Sequence, residues 1–141
     1  MRPLVGFTGT QDGMTESQRR EFVKTTRRVQ PREFHHGDCV GADEEAHAII
    51  WAMVQDEGLD CLIVIHPPTD EKFRAFCGVV RDPHVEIRAP KPYLERNHDI
   101  VDETEVLIAT PGTHQEMTRS GTWATIRYAR KRYHPIGLIE P

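Results

Sequence analysis

The chain predicts an α/β fold, a three-layer sandwich in which a mostly parallel sheet carries helices on both faces. Three observations lead there. Short apolar strand-like runs alternate with amphipathic stretches of helical period along nearly all of the 141 residues. One run, Leu59 to Ile65, is almost continuously apolar, as expected of a strand covered on both faces. Polar, glycine-bearing turns follow the strands, which is where parallel sheets bind ligands.

Strand one spans Leu4 to Thr8, and the turn Gly9-Thr10-Gln11-Asp12-Gly13 follows. Thr15 with Gln18 three residues later has the form of a capping box. The helix it opens runs to about Val29, with Phe22, Thr26 and Val29 on one face. A short second strand covers Glu33 to His36. The turn His36-Gly37-Asp38-Cys39-Val40-Gly41-Ala42-Asp43 leads into a helix from Ala42 to Glu57 that Gly58 stops. Ala42, Ala46, Ile49, Ile50, Met53 and Val54 mark its apolar side. Regularity then fades from His66 to Pro92, apart from a short strand at Val85-Glu86-Ile87. A segment of that length without strong period is often a lid or pocket wall. Helix restarts at Pro92-Tyr93 and ends near Glu103. Strand Val106 to Ala109, a loop Thr110 to Arg119, a helix from Gly121 to about Tyr133 and a strand Pro135 to Ile139 complete the order. No repeat or linker divides the chain, so residues 1–141 read as one domain.

Composition excludes several classes. No stretch approaches the roughly 20 apolar residues that span a bilayer. Cys39, Cys61 and Cys77 lack Cys-x-x-Cys spacing, which points to a reduced, cytoplasmic setting and not to a disulfide framework. A net charge of −4 and a pI of about 6.0 argue against sequence-independent binding of nucleic acid. The basic clusters Arg19, Arg20, Lys24, Arg27, Arg28 and Arg127, Arg130, Lys131, Arg132 read as solvated helix faces.

The turns carry the chemistry. Ser120-Gly121-Thr122 opens a helix after a strand and a loop. Its free N–H groups, hydroxyls and positive dipole end suit an anion, most often a phosphate. Gly9, Thr10 and Gln11 form a second turn of the same kind. Gly37, Asp38, Gly41 and Asp43 form a third, in which Asp43 either caps the helix or accepts from sugar hydroxyls. Arg96-Asn97 offers a planar guanidinium, the natural clamp for a phosphate, or a surface ion pair. Glu116 is the loop carboxylate placed for acid/base work, or a solvated residue. Cys39 is either a thiol of interest or a small residue in a tight turn. Asp43 and His47 at i, i+4 form an ion pair, a metal corner or a dyad. The eight histidines are otherwise scattered, and His35 and His36 point to opposite faces, so spacing assigns no metal site and no cofactor. Neither the dinucleotide fingerprint nor a P-loop is present. Trp123 either stacks on a base or belongs to the core.

The motifs Gly6-Phe7-Thr8-Gly9-Thr10, His36-Gly37-Asp38-Cys39-Val40-Gly41-Ala42-Asp43, Arg96-Asn97-His98-Asp99-Ile100-Val101 and Ser120-Gly121-Thr122, in this order, resemble the SLOG superfamily of Rossmann-like proteins. That group includes the lonely-guy phosphoribohydrolases and the Rossmann domain of the DNA-processing protein A family. The resemblance implies a nucleotide or nucleotide-derived ligand, and a homo-oligomer. It does not imply a reaction. Thr125 stands where the lonely-guy enzymes resemble one another in a catalytic Glu, and a hydroxyl cannot take over a carboxylate's part in stabilising oxocarbenium-like charge. The function expected is therefore binding of such a ligand at the carboxyl ends of the strands. N-glycosidic cleavage assisted by Asp43 or Glu116 is the alternative, and single-stranded DNA binding a third.

Overall fold

In a computed structural model describing residues 1–78 and 81–141, six strands form one sheet in which every pairing is parallel. In chain order the elements are β1 (Leu4–Gly9), α1 (Glu16–Val29), β2 (Glu33–His36), α2 (Ala42–Glu57), β3 (Leu62–Ile65), β4 (Val85–Ile87), α3 (Tyr93–Asp102), β5 (Val106–Thr110), α4 (Gly121–Lys131) and β6 (Ile136–Leu138). The spatial order is β4-β3-β2-β1-β5-β6. The chain builds outward from β1 through β2 and β3 to β4, then returns to the other side of β1 for β5. The order therefore reverses between β1 and β5, and the loops leaving those two strands diverge around a crevice. The expected Rossmann-like α/β sandwich is present.

The helices fall where alternation of the strands sends them. Phe7 and Phe34 face α1 and α2, packing with Phe22 at ring-centroid distances of 5.3–5.8 Å. Ala42, Ala46 and Ile50 of α2, all fully buried, close that layer. On the opposite face Ile100 and Val101 of α3 meet Leu107 and Ala129. Trp123 is 4% exposed, packs on Ala109 and Ile126, and donates from Nε1 to Thr113 Oγ1 at 3.0 Å. It belongs to the core and is not a free stacking platform.

Local chemistry explains the helix ends. The capping box of α1 is complete: Gln18 N–H donates to Thr15 Oγ1 at 3.0 Å and Thr15 N–H to Gln18 Oε1 at 2.9 Å. Gln18 also ties α1 to the carboxyl ends of β5 and β6 by donating to Pro111 O and Ile139 O. Gly58 ends α2 in the left-handed region, φ 71°. Four strands differ from expectation in their limits. β1 and β5 each run one residue further, to Gly9 and Thr110, because they pair with each other to the end. β3 begins at Leu62, since Leu59 N–H closes the α2 terminus onto Met53 O. β6 keeps only Ile136 to Leu138, the span that pairs with β5.

The basic clusters are largely ion-paired. Arg19, Arg20 and Arg27 meet Glu45, Glu16 and Glu57, and Arg132 meets Asp102. These faces are charge-compensated, which offers a polyanion little. No helix among the described residues is long and apolar enough to cross a membrane.

Candidate functional site

At the carboxyl edge of the sheet the turns meet around one cavity of about 600 Å³. Gly9, Thr10 and Gln11 come from the β1 turn, and Gly37, Cys39 and Asp43 from the β2 turn. Arg96 and Asn97 come from α3, and Arg119, Ser120, Gly121 and Thr122 from the entry to α4. Asp70, Phe73 and Tyr93 line it as well. The irregular segment after β3 thus supplies part of the rim, through a short 3-10 turn at Glu71–Phe73.

The α4 entry is built as an anion seat. Ser120 caps the helix by accepting from Trp123 N–H at 3.2 Å. The N–H groups of Gly121 and Thr122 at the first positions have no intrahelical acceptor and sit at the positive end of the dipole. Thr125 donates back to Gly121 O at 2.9 Å and is buried, so its hydroxyl serves the helix. Gly112 lets the β5 loop press against Thr10: a Cβ there would lie 3.0 Å from Thr10 Oγ1. Arg119 is exposed, lines the cavity and makes no ion pair among the described residues.

Arg96 plays another part than the expected open clamp. It is 5% exposed. Its Nη1 donates to Gly37 O and, at 3.3 Å, to His66 O, while Nη1 and Nη2 lie 3.8 and 3.7 Å from Cys39 Sγ. The guanidinium is a strut that holds the β2 turn against α3. Gly37 leaves room for it, since a Cβ there would meet Nη1 and push the guanidinium aside.

Asp43 faces the cavity at the start of α2 and is 6% exposed. Its Oδ2 accepts from Cys39 N–H at 3.1 Å. Burial pushes its carboxyl up to about 6; Arg96 and the N–H groups of Cys39 and Gly37 oppose that rise, and Asp38 adds to it. The folded value thus lies above the unfolded one of about 3.9. The stabilising contribution is complete below the unfolded value and is lost as pH rises through about 6. A rise of this size corresponds to up to about 3 kcal/mol. Urea unfolding of Asp43→Asn beside the unaltered chain, between about pH 4 and about pH 7.5, is expected to move the stability difference by up to that amount in favour of the variant at the higher pH. A difference that stays constant across this range contradicts the assignment.

The expected partnership of Asp43 with His47 does not form. His47 Nδ1 pairs with His36 Nε2 at 2.9 Å instead. Asp38 and Gly41 stand behind the cavity. Asp38 is 1% exposed, accepts from Arg74 Nε and Cys77 N–H at 2.8 Å each, and pins the segment around Arg74 to the β2 turn. Gly41 adopts φ +89° under Gln11. Glu116 lies outside: its carboxylate is shared by Arg127 at 3.0 Å and Arg130 at 3.3 Å on the outer side of α4. An acid/base role for it has no geometric support. Burial, with Asp43 next, raises the Cys39 thiol above its ordinary range, which disfavours the reactive thiolate.

Sequence reasoning passed over Arg119, Asp70, Phe73 and Tyr93. Arg119 directly precedes the Ser-Gly-Thr turn, and Tyr93 follows the Pro that starts α3; both positions were visible signals. Asp70 and Phe73 lie in a stretch without period and gave none.

Compared with known proteins, the chain matches no family model and no curated protein sequence.

Proposed function

We propose that this protein binds a phosphate-bearing nucleotide in the cavity at the β1/β5 crevice. The observation that carries the reading is the convergence of the Gly9-Thr10 turn and the open Ser120-Gly121-Thr122 helix start on one cavity, with Arg119 at its rim. The phosphate takes the N–H groups of Gly121 and Thr122 and the charge of Arg119. Asp43 and Asn97 offer acceptors and donors to the ribose. Phe73, 38% exposed, and Tyr93 supply aromatic faces for the base. The volume of about 600 Å³ falls within the range of small-molecule sites. Residues resembling the SLOG superfamily occupy this same rim and support the same ligand class.

Calorimetry against nucleoside mono-, di- and triphosphates and NAD-like dinucleotides tests this. Arg119→Ala is expected to weaken binding by about 1.5 kcal/mol, near tenfold, the lower end for a hydrogen bond to a charged group because Arg119 is exposed. Unchanged affinity in that variant would remove Arg119 from the phosphate site. No heat with any nucleotide would remove the reading itself.

A second reading rests on Asp43, whose raised carboxyl beside a ligand cavity is the kind of group general acids are made from. Here water adds to the ribose carbon, the N-glycosidic bond breaks, the leaving base takes the proton of Asp43, and the proton released by the water returns to the Asp43 carboxylate. Release of free base by the unaltered chain, abolished in Asp43→Asn with nucleotide affinity retained, supports this reading. Absence of release across the panel leaves binding alone.

A further inference from the structure

We propose that His35, His66 and Glu103 form a site for a divalent transition-metal ion, zinc by ligand type, on the sheet face opposite α1 and α2. The site is separate from the nucleotide cavity and does not depend on that reading. A nitrogen of each imidazole and an oxygen of the carboxylate lie within 4.8 Å of one another. The residues come from β2, from just after β3 and from the end of α3, so only the fold brings them together.

The hydrogen bonds fix which atoms face the site. His35 Nε2 lies 2.8 Å from Glu33 Oε1. A carboxylate only accepts, so the proton of neutral His35 sits on Nε2 and the lone pair of Nδ1 points inward. That is the carboxylate–histidine–metal arrangement, in which an outer carboxylate sets the tautomer of the ligand. Facing this lone pair, at 2.8 Å, is His66 Nε2. Without metal, His66 donates there. With metal, the His66 proton resides on Nδ1 and both nitrogens present lone pairs. Bonds of about 2.0–2.1 Å at a tetrahedral angle place two nitrogens about 3.3 Å apart, so the rings move apart by about 0.5 Å and turn until their lone pairs converge on the ion. Glu103 binds Arg88 Nη1 through Oε1 at 2.8 Å, which leaves Oε2 for the ion.

Access and charge also fit. His66 and Glu103 line a cavity of about 250 Å³, with room for a water as fourth ligand. Of the cations at its wall, Arg88 is matched by Glu86 and Glu103 and Lys91 by Asp99 at 2.7 Å, while Arg96 is held by the carbonyls of Gly37 and His66. Two neutral imidazoles and a carboxylate favour zinc over magnesium or calcium, which prefer oxygen alone.

A second cluster, His36, His47 and Cys77, has comparable spacing but the wrong tautomer. Asp38 N–H donates to His36 Nδ1 at 3.0 Å, so neutral His36 carries its proton on Nε2, the atom facing His47. No lone pair is offered there, and burial keeps the Cys77 thiol protonated. This pair is an internal hydrogen bond and serves as the control.

The test uses the full chain after dialysis against a chelator. Zinc chloride titrated by calorimetry is expected to bind one equivalent. His66→Asn and Glu103→Gln are expected to weaken it strongly, and Glu33→Gln about 10–100-fold, the range for losing an outer carboxylate. His47→Asn is expected to leave it unchanged. In the unaltered protein, histidine-ring nitrogen NMR is expected to show zinc shifting Nδ1 of His35 and Nε2 of His66 but neither ring of the control pair; this needs no variant to fold. Absence of binding at millimolar zinc, binding indifferent to both Glu103→Gln and Glu33→Gln, or shifts at His36 and His47 instead would overturn the assignment.

Discussion

Arg96→Ala is expected to destabilise the protein by about 3–5 kcal/mol, the range for removing one partner of a buried charged arrangement. Three losses combine. Gly37 O and His66 O lose their guanidinium donor inside the protein. Asp43 loses the positive charge that opposes its burial. The β2 turn also loses the strut that holds it to α3. Lysine is an incomplete replacement: one ammonium can meet both carbonyls, as Nη1 does, but it lacks the planar body that Arg sets against Cys39 Sγ and the Tyr93 ring. Urea unfolding followed by circular dichroism measures the effect. A loss below about 1 kcal/mol, the value of an ordinary surface interaction, with nucleotide affinity reduced instead, would restore Arg96 to the part of an open phosphate clamp.

The second large effect is expected at Gly41. Alanine there costs about 3 kcal/mol or more, from a left-handed backbone and overpacking together. The backbone stands at φ +89°, and a Cβ would fall on the carbonyl of Gln11 and 2.7 Å from Thr10 O. These are backbone atoms of the first turn and cannot rotate aside. Ala42 N–H donates to Thr10 O at 2.9 Å, so any shift passes straight into the cavity wall. Gly121→Ala is the comparison: a Cβ there meets nothing within 4 Å, and φ is not in the left-handed region. Its thermal midpoint is expected to stay near that of the unaltered chain, while Gly41→Ala falls by several degrees or fails to fold. Equal midpoints for the two variants would contradict the role given to Gly41.

These cases show what the sequence made legible. Strand and helix placement was readable because burial imposes period: Ala42, Ala46, Ile50 and Met53 recur at helical spacing and do form the inner face of α2. The Thr15–Gln18 box was readable because a cap is local chemistry. The rim residues Gly9, Thr10, Gln11, Gly37, Asp43, Asn97, Ser120, Gly121 and Thr122 were readable because the carboxyl ends of parallel strands share one edge. What depended on contacts between distant segments was not. Nothing local shows that the guanidinium of Arg96 turns inward to Gly37 rather than outward. Glu116 reads as a loop carboxylate until Arg127 and Arg130, a helix turn apart, are seen to hold it. Asp38 shares its turn with Asp43, yet points away toward Arg74. The histidines show the limit most clearly. Neighbours in sequence, His35 and His36 lie on opposite faces, and each finds its partner far along the chain, His66 and His47.

The cavity's role is tested most directly by amide NMR of the full chain during titration with a nucleoside monophosphate and, separately, with the matching nucleoside. The account requires the largest shifts at the N–H groups of Gly9, Thr10, Gly121 and Thr122, with the nucleoside binding more weakly and leaving Gly121 and Thr122 nearly still. Shifts of equal size for both ligands at the α4 start, or perturbation confined to residues away from the β1/β5 crevice, would contradict it.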